Sequence, residues 1–118
     1  MKKATLLIVL IGVLALGSVA LQAKIAGALS EIFINPNPMD KFTTITLTFT
    51  QYANVGVNIE TEQGVVIKSL YWGPAGEQLQ LTWNRLDDNG NVVPSGNYVV
   101  VVNHEARYTS TKKTLILK

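Results

Sequence analysis

Cysteine is absent from the 118 residues, which removes disulfide scaffolds, thiolate metal centres and a lipid-modified N-terminal cysteine together. Histidine occurs once, at His104, and a nucleophilic triad needs that imidazole oriented by a carboxylate beside a nucleophile. Glu105 is its sequence neighbour, but adjacent residues of a strand point to opposite faces. None of Ser18, Ser30, Ser69, Ser95 and Ser110 stands in a nucleophile-elbow pattern. Phosphate loops, dinucleotide fingerprints and His-Glu metal motifs are missing as well. The expectation is a protein that is not an enzyme and carries no cofactor.

An excess of one charge is lacking too, once the N-terminus is set aside. The net charge of +2 comes from Lys2 and Lys3, and beyond them eight Lys and Arg face eight Asp and Glu. A basic footprint for nucleic acid is therefore excluded.

The one long apolar run is at the start. Lys2 and Lys3 precede Ala4 to about Gly17, and "GSVALQA" follows, the three-part layout of a secretory leader. Cuts after Ala20, Ala23 or Ala28 fit, and Ala23 best suits the short polar stretch. Residues 1–23 are thus expected to be a signal peptide, 24–30 a short segment and 31–118 a domain. The competing expectation is a retained anchor, because residues 4–23 approach the roughly 20 that span a bilayer. Gly12, Gly17, Ser18 and Gln22 weaken its second half.

From Ser30 onward apolar residues alternate with polar ones, and turn residues interrupt them at intervals of about ten. "SEIFIN" stops at "NPNP", where Pro36 and Pro38 lack amide donors. "TTITLTFT" puts Ile45, Leu47 and Phe49 on one face, and "NVGVNIET" puts Val55, Val57 and Ile59 inward. Glu62 to Gly64 predicts a hairpin turn into "VVIKSLYW", and Gly73 to Gly76 is expected to end that strand. "EQLQLTW", "GNYVVVV" and "ARYTSTKKTLILK" bring the count to about seven, as in an all-β immunoglobulin-like, fibronectin III-like antiparallel sandwich.

Between Trp83 and Tyr98 lies "DDNGN". Asp87, Asn89 and Asn91 offer oxygens at alternate positions, as a calcium loop begins. The sixth position is Val92 and the twelfth is Tyr98, where such a loop has glycine and glutamate, so the stretch reads as a turn built on Asn89 and Gly90. Gly96 and Pro94 then steer the chain into the next strand, with the Tyr98 hydroxyl seeking a backbone acceptor. Glu60 and Glu62 share a strand face near a hairpin tip and read as surface charge. Of Tyr71, Trp72 and Trp83, alternation sends Trp83 and one of the first two inward, which favours packing over a sugar platform.

Four motifs in order resemble a known family. "NPNPMDKFTTITLTF" opens it, "IETEQGVVIKSL" supplies a glycine hairpin, "WNRLDDNGNVVPSGNY" gives tryptophan, acidic turn and "SGxY", and "TKKTLILK" ends with basic residues. Over residues 32 to 118 this is similar to the immunoglobulin-like domain of the flagellar hook-cap protein and to the type A sorting domains of type IX secretion. One departure stands out: the family's aspartate-glycine after the tryptophan is Asn84 and Arg85 here.

The resemblance implies an exported module, structural or assembling, at the cell surface or in an extracellular filament. Its partners would be proteins: itself, as homo-oligomer or filament, or outer-membrane secretion machinery engaging Lys112, Lys113 and Lys118 of the tail. The plain reading of those lysines is protection of an edge strand. Fewer than ~15 residues between the expected cut and the first strand leave no room for an independently folding cargo, so a sorting domain or accessory component is the alternative. A membrane-anchored periplasmic domain is the third. Membrane contact is expected only through residues 4–23.

Overall fold

The computed structural model describes residues 28–104 and 110–118; the expected leader lies outside them. Among the described residues no helix is long and apolar enough to cross a membrane. Seven strands follow one another: β1 (Leu29–Asn35), β2 (Thr43–Phe49), β3 (Ala53–Thr61), β4 (Val66–Ala75), β5 (Gln78–Trp83), β6 (Gly96–His104) and β7 (Ser110–Leu117). They form a three-stranded sheet in the order β1-β2-β5 and a four-stranded sheet in the order β4-β3-β6-β7. All named pairings are antiparallel, which makes the fold the expected immunoglobulin-like sandwich.

Alternation in the sequence becomes two facing apolar layers. In the smaller sheet Ile34, Ile45 and Leu81 form one cross-strand row and Ile32, Leu47 and Leu79 the next. Val55, Val57 and Ile59 of β3, Val100 and Val102 of β6 and Leu115 of β7 answer from the larger sheet, all fully buried. Burying each such side chain contributes about 1.5–3 kcal/mol. Trp83 is 1% exposed, and its indole nitrogen donates to the Leu86 carbonyl at 2.9 Å. The core tryptophan thereby also fixes the start of the following loop.

The β3–β4 hairpin turns at Glu62 to Gly64, with Gly64 at φ 90° and the Thr61 amide donating to the Val65 carbonyl at 2.9 Å. Two details differ from the sequence reading. Glu62 lies in the turn beyond β3, so it does not share a strand with Glu60. β4 is not ended by Gly73: it continues through Pro74 to Ala75, where Asn54 faces Pro74. The reason is position, because β4 is an edge strand and its outer side needs no amide donor from proline.

Candidate functional site

The "NPNP" stretch does more than end β1. Both its Asn-Pro bonds are cis, Thr43 Oγ1 donates to the Pro36 carbonyl at 2.6 Å, and the chain leaves the smaller sheet for the larger one. The Asn37 side chain then pairs like a backbone: Nδ2 donates to Thr114 O and Oδ1 accepts from Ile116 N, each at 3.0 Å. Met39 N donates to Ile116 O at 2.8 Å, Lys118 N donates to Met39 O at 2.9 Å, and Met39 and Leu117 form a parallel bridge. Met39 is fully buried. The outer edge of β7 is therefore covered along its second half.

Among the described residues nothing pairs with the first half of that edge. A groove of about 280 Å3 there is lined by Thr111 to Lys113 of β7 and Leu29 to Ile32 of β1. The two lysines there diverge, as neighbours on a strand must. Lys113 is level with inward-facing Val100 and reaches across to the other sheet, where Nζ donates to the Ile32 carbonyl at 2.9 Å. Lys112 is level with Val101 and makes no such bond to the described residues. β1 carries an irregularity between Leu29 and Glu31, with Ser30 Oγ donating to Thr48 O at 3.0 Å.

The sequence pattern of the FlgD Ig-like domain matches residues 39–107. This chain belongs to the FlgD Ig-like family. The matched stretch contains β2 to β6, while β1 and β7, whose edges line the groove, fall outside it. Among solved structures the chain is similar to dimeric latent PorU from Porphyromonas gingivalis, at 22% identity and a TM-score of 0.55, over 73% of this chain and 9% of that one. It is also similar to PorZ of the same organism, described as an essential bacterial surface component of the type IX secretion system, at 24% identity and a TM-score of 0.51, over 74% of this chain and 11% of that one. The chain thus corresponds to about a tenth of each neighbour's length, and the likeness is one of fold. Among curated proteins nothing matches.

The FlgD Ig-like domain is a non-catalytic module, and in this member the acidic stretch is occupied with backbone. Asp87 Oδ1 accepts the amides of Asn89 and Asn91, each at 2.9 Å, and Gly90 turns at φ 83°. The Asp88 carboxylate accepts the Ser69 amide at 3.1 Å and lies 3.8 Å from Lys68 Nζ, while Asp88 N donates to Ile67 O at 3.0 Å. The loop pairs with the outer edge of β4 at Ile67 and Ser69. Among the described residues no three His, Cys, Asp or Glu side chains gather as a metal would need. His104 ends β6, where burial lowers its pKa below the ordinary 6.5.

The departure from the family's aspartate-glycine pair has a structural answer that sequence reasoning missed. Arg85 stands at the glycine position with φ 68°, a left-handed conformation unusual for a side-chain-bearing residue. Its guanidinium donates to Val93 O and Asp40 O, each at 2.7 Å, and to Lys118 O at 2.9 Å. Gly96 opens β6 at φ 151°, and the Tyr98 hydroxyl donates to Pro94 O at 2.9 Å, the backbone acceptor anticipated above. Lys118 belongs to this clasp and not to the groove.

Proposed function

We propose that this chain is an exported, non-enzymatic module, structural or assembling, at the cell surface or in an extracellular filament, which binds protein through the groove between β1 and β7. The observation that carries this reading is the half-covered edge of β7. Met39 covers its second half and Asp88 covers the β4 edge at Ile67 and Ser69, and the stretch Ser110 to Lys113, unpaired on its outer side among the described residues, is a place where an extended partner can add backbone pairing. Lys112 supplies charge at the rim, and Lys113 spans the sheets at Ile32. Residues 1–23 act as the leader in this reading.

The likeness to PorZ, described as a surface component of the type IX secretion system, supports a second, narrower version: passage by, or an accessory part in, type IX secretion. Both versions are tested in the native host by replacing Lys112 with Glu and following the protein by fractionation, intact mass and N-terminal sequence. The expected wild type starts near Lys24 and is recovered outside or at the surface. Expected for Lys112→Glu is a folded protein that accumulates in the periplasm or loses its assemblies. Unchanged distribution and assembly of that variant would remove the groove from the mechanism, and a wild type still beginning at Met1 in the inner membrane would replace export by anchoring.

A further inference from the structure

A second surface, on the outer face of the larger sheet, carries groups that neither the fold nor the edge groove uses. β4 has one extra residue at Leu70, because Val57 faces Tyr71 while Asn58 faces Ser69. The irregularity sets Trp72 and Ser69 side by side on the outer face, opposite Gly56 and Asn58 of β3, although three positions separate them in sequence. Across β3, Gly56 also faces Asn103 of β6. A hollow of about 420 Å3 opens among these residues.

Trp72 sits on the glycine. A Cβ at Gly56 would lie 3.0 Å from its Cε3 and 3.4 Å from its Cζ3, so a side chain there would push the ring outward by a few tenths of an ångström. Covering a bare glycine with an aromatic ring is a known way to stabilise a sheet, but it calls for contact and not exposure. Here Trp72 remains 65% exposed. An indole seated at one edge and open over most of its surface offers a flat apolar face to whatever binds in the hollow.

The chemistry around the platform selects that partner. Among the described residues the hollow is lined by Asn58, Ser69 and Asn103 beside Trp72, and no Asp, Glu, Lys or Arg of these residues takes part. Each amide offers donors and an acceptor, and neither the Asn58 nor the Asn103 side chain bonds to another described residue. The Tyr71 hydroxyl is already committed, donating to Pro74 O at 2.5 Å. One open indole flanked by uncharged groups that both give and take hydrogen bonds matches a sugar ring, with an apolar C–H face and hydroxyls around its rim. A proline-rich peptide would need a second exposed aromatic ridge, and the one further aromatic among the described lining residues, Tyr71, packs partly against the core.

The geometry points to a neutral glycan site on the outer face, in which Trp72 stacks on a pyranose ring and Asn58, Asn103 and Ser69 bind its hydroxyls. The site is independent of the edge groove, so either can fail without the other.

The test is a fluorescence titration of the purified full chain with cellohexaose, laminarihexaose and mannohexaose. Trp72 is the exposed reporter and buried Trp83 the silent one. At least one hexaose is expected to shift the emission to the blue. Trp72→Ala, checked by thermal unfolding to be folded, and Asn103→Ala are expected to weaken binding by about 10-fold or more, read by calorimetry. Gly56→Ala, whose methyl displaces the ring, is expected to weaken it while Trp72 is still present. No response to any of the three sugars, equal binding by Trp72→Ala, or a response to a proline-rich decapeptide in their place would overturn the assignment.

Discussion

Arg85 shows how one residue can hold a cost and a gain at once. Its backbone at φ 68° is disfavoured for any L-residue with a Cβ by about 1 kcal/mol or more. Its side chain is 12% exposed and ties three separate carbonyls, those of Asp40, Val93 and Lys118. Hydrogen bonds from a charged donor are worth roughly 1.5–3 kcal/mol when removed, so the bonds outweigh the strain. Arg85→Ala keeps the strain and loses the bonds, and is expected to cost about 2–4 kcal/mol in urea unfolding. Arg85→Gly loses the same bonds but relieves the strain, and is expected to be the more stable of the two by about 1 kcal/mol. Glycine ordinarily costs more than alanine within a strand, so the reversed order is the diagnostic result; alanine equal to or better than glycine would contradict the account.

At the scale of the element, the central strands were legible and the edges were not. Ile45, Leu47 and Phe49 of β2 and Val55, Val57 and Ile59 of β3 bury as their alternation demands, because a strand with one core face has its register fixed by that face. Pro74 misled because proline forbids only an interior ladder position, and alternation carries no information about which strand lies at the edge. The same gap hid the crossing at "NPNP", whose partners Thr114 and Ile116 lie far along the chain. For the candidate site, the sequence marked Lys112 and Lys113 as a pair, and the strand parts them onto opposite faces. Lys113 is the charge on the inner side of an edge that is open among the described residues, a device that discourages indiscriminate sheet-to-sheet addition and leaves pairing to a partner that fits the groove. Lys113→Val is expected to cause concentration-dependent association in light scattering, whereas Lys112→Val on the outer face should leave the protein monodisperse at equal concentration. If both variants behave alike, the inner lysine is not what guards the edge.

For the whole molecule, the decisive arrangement is that the beginning and the end of the domain are held together. Asn37 and Met39 lie against β7, Lys118 returns an amide to Met39, and the two segments run in the same direction. Tension drawn between a point before Leu29 and a point after Lys118 would pull these segments past one another, loading their bonds together in shear instead of peeling them one by one. A module in a surface layer or filament is subject to such tension whenever its neighbours move. Asn37→Ala, which deletes two bonds of this clasp, is expected to lower the rupture force in single-molecule stretching from those points by a larger fraction than it lowers stability in urea; an unchanged force would show that the load travels elsewhere. A contact that looks like mere edge covering at rest is, under load, the part of the molecule that decides whether it stays folded.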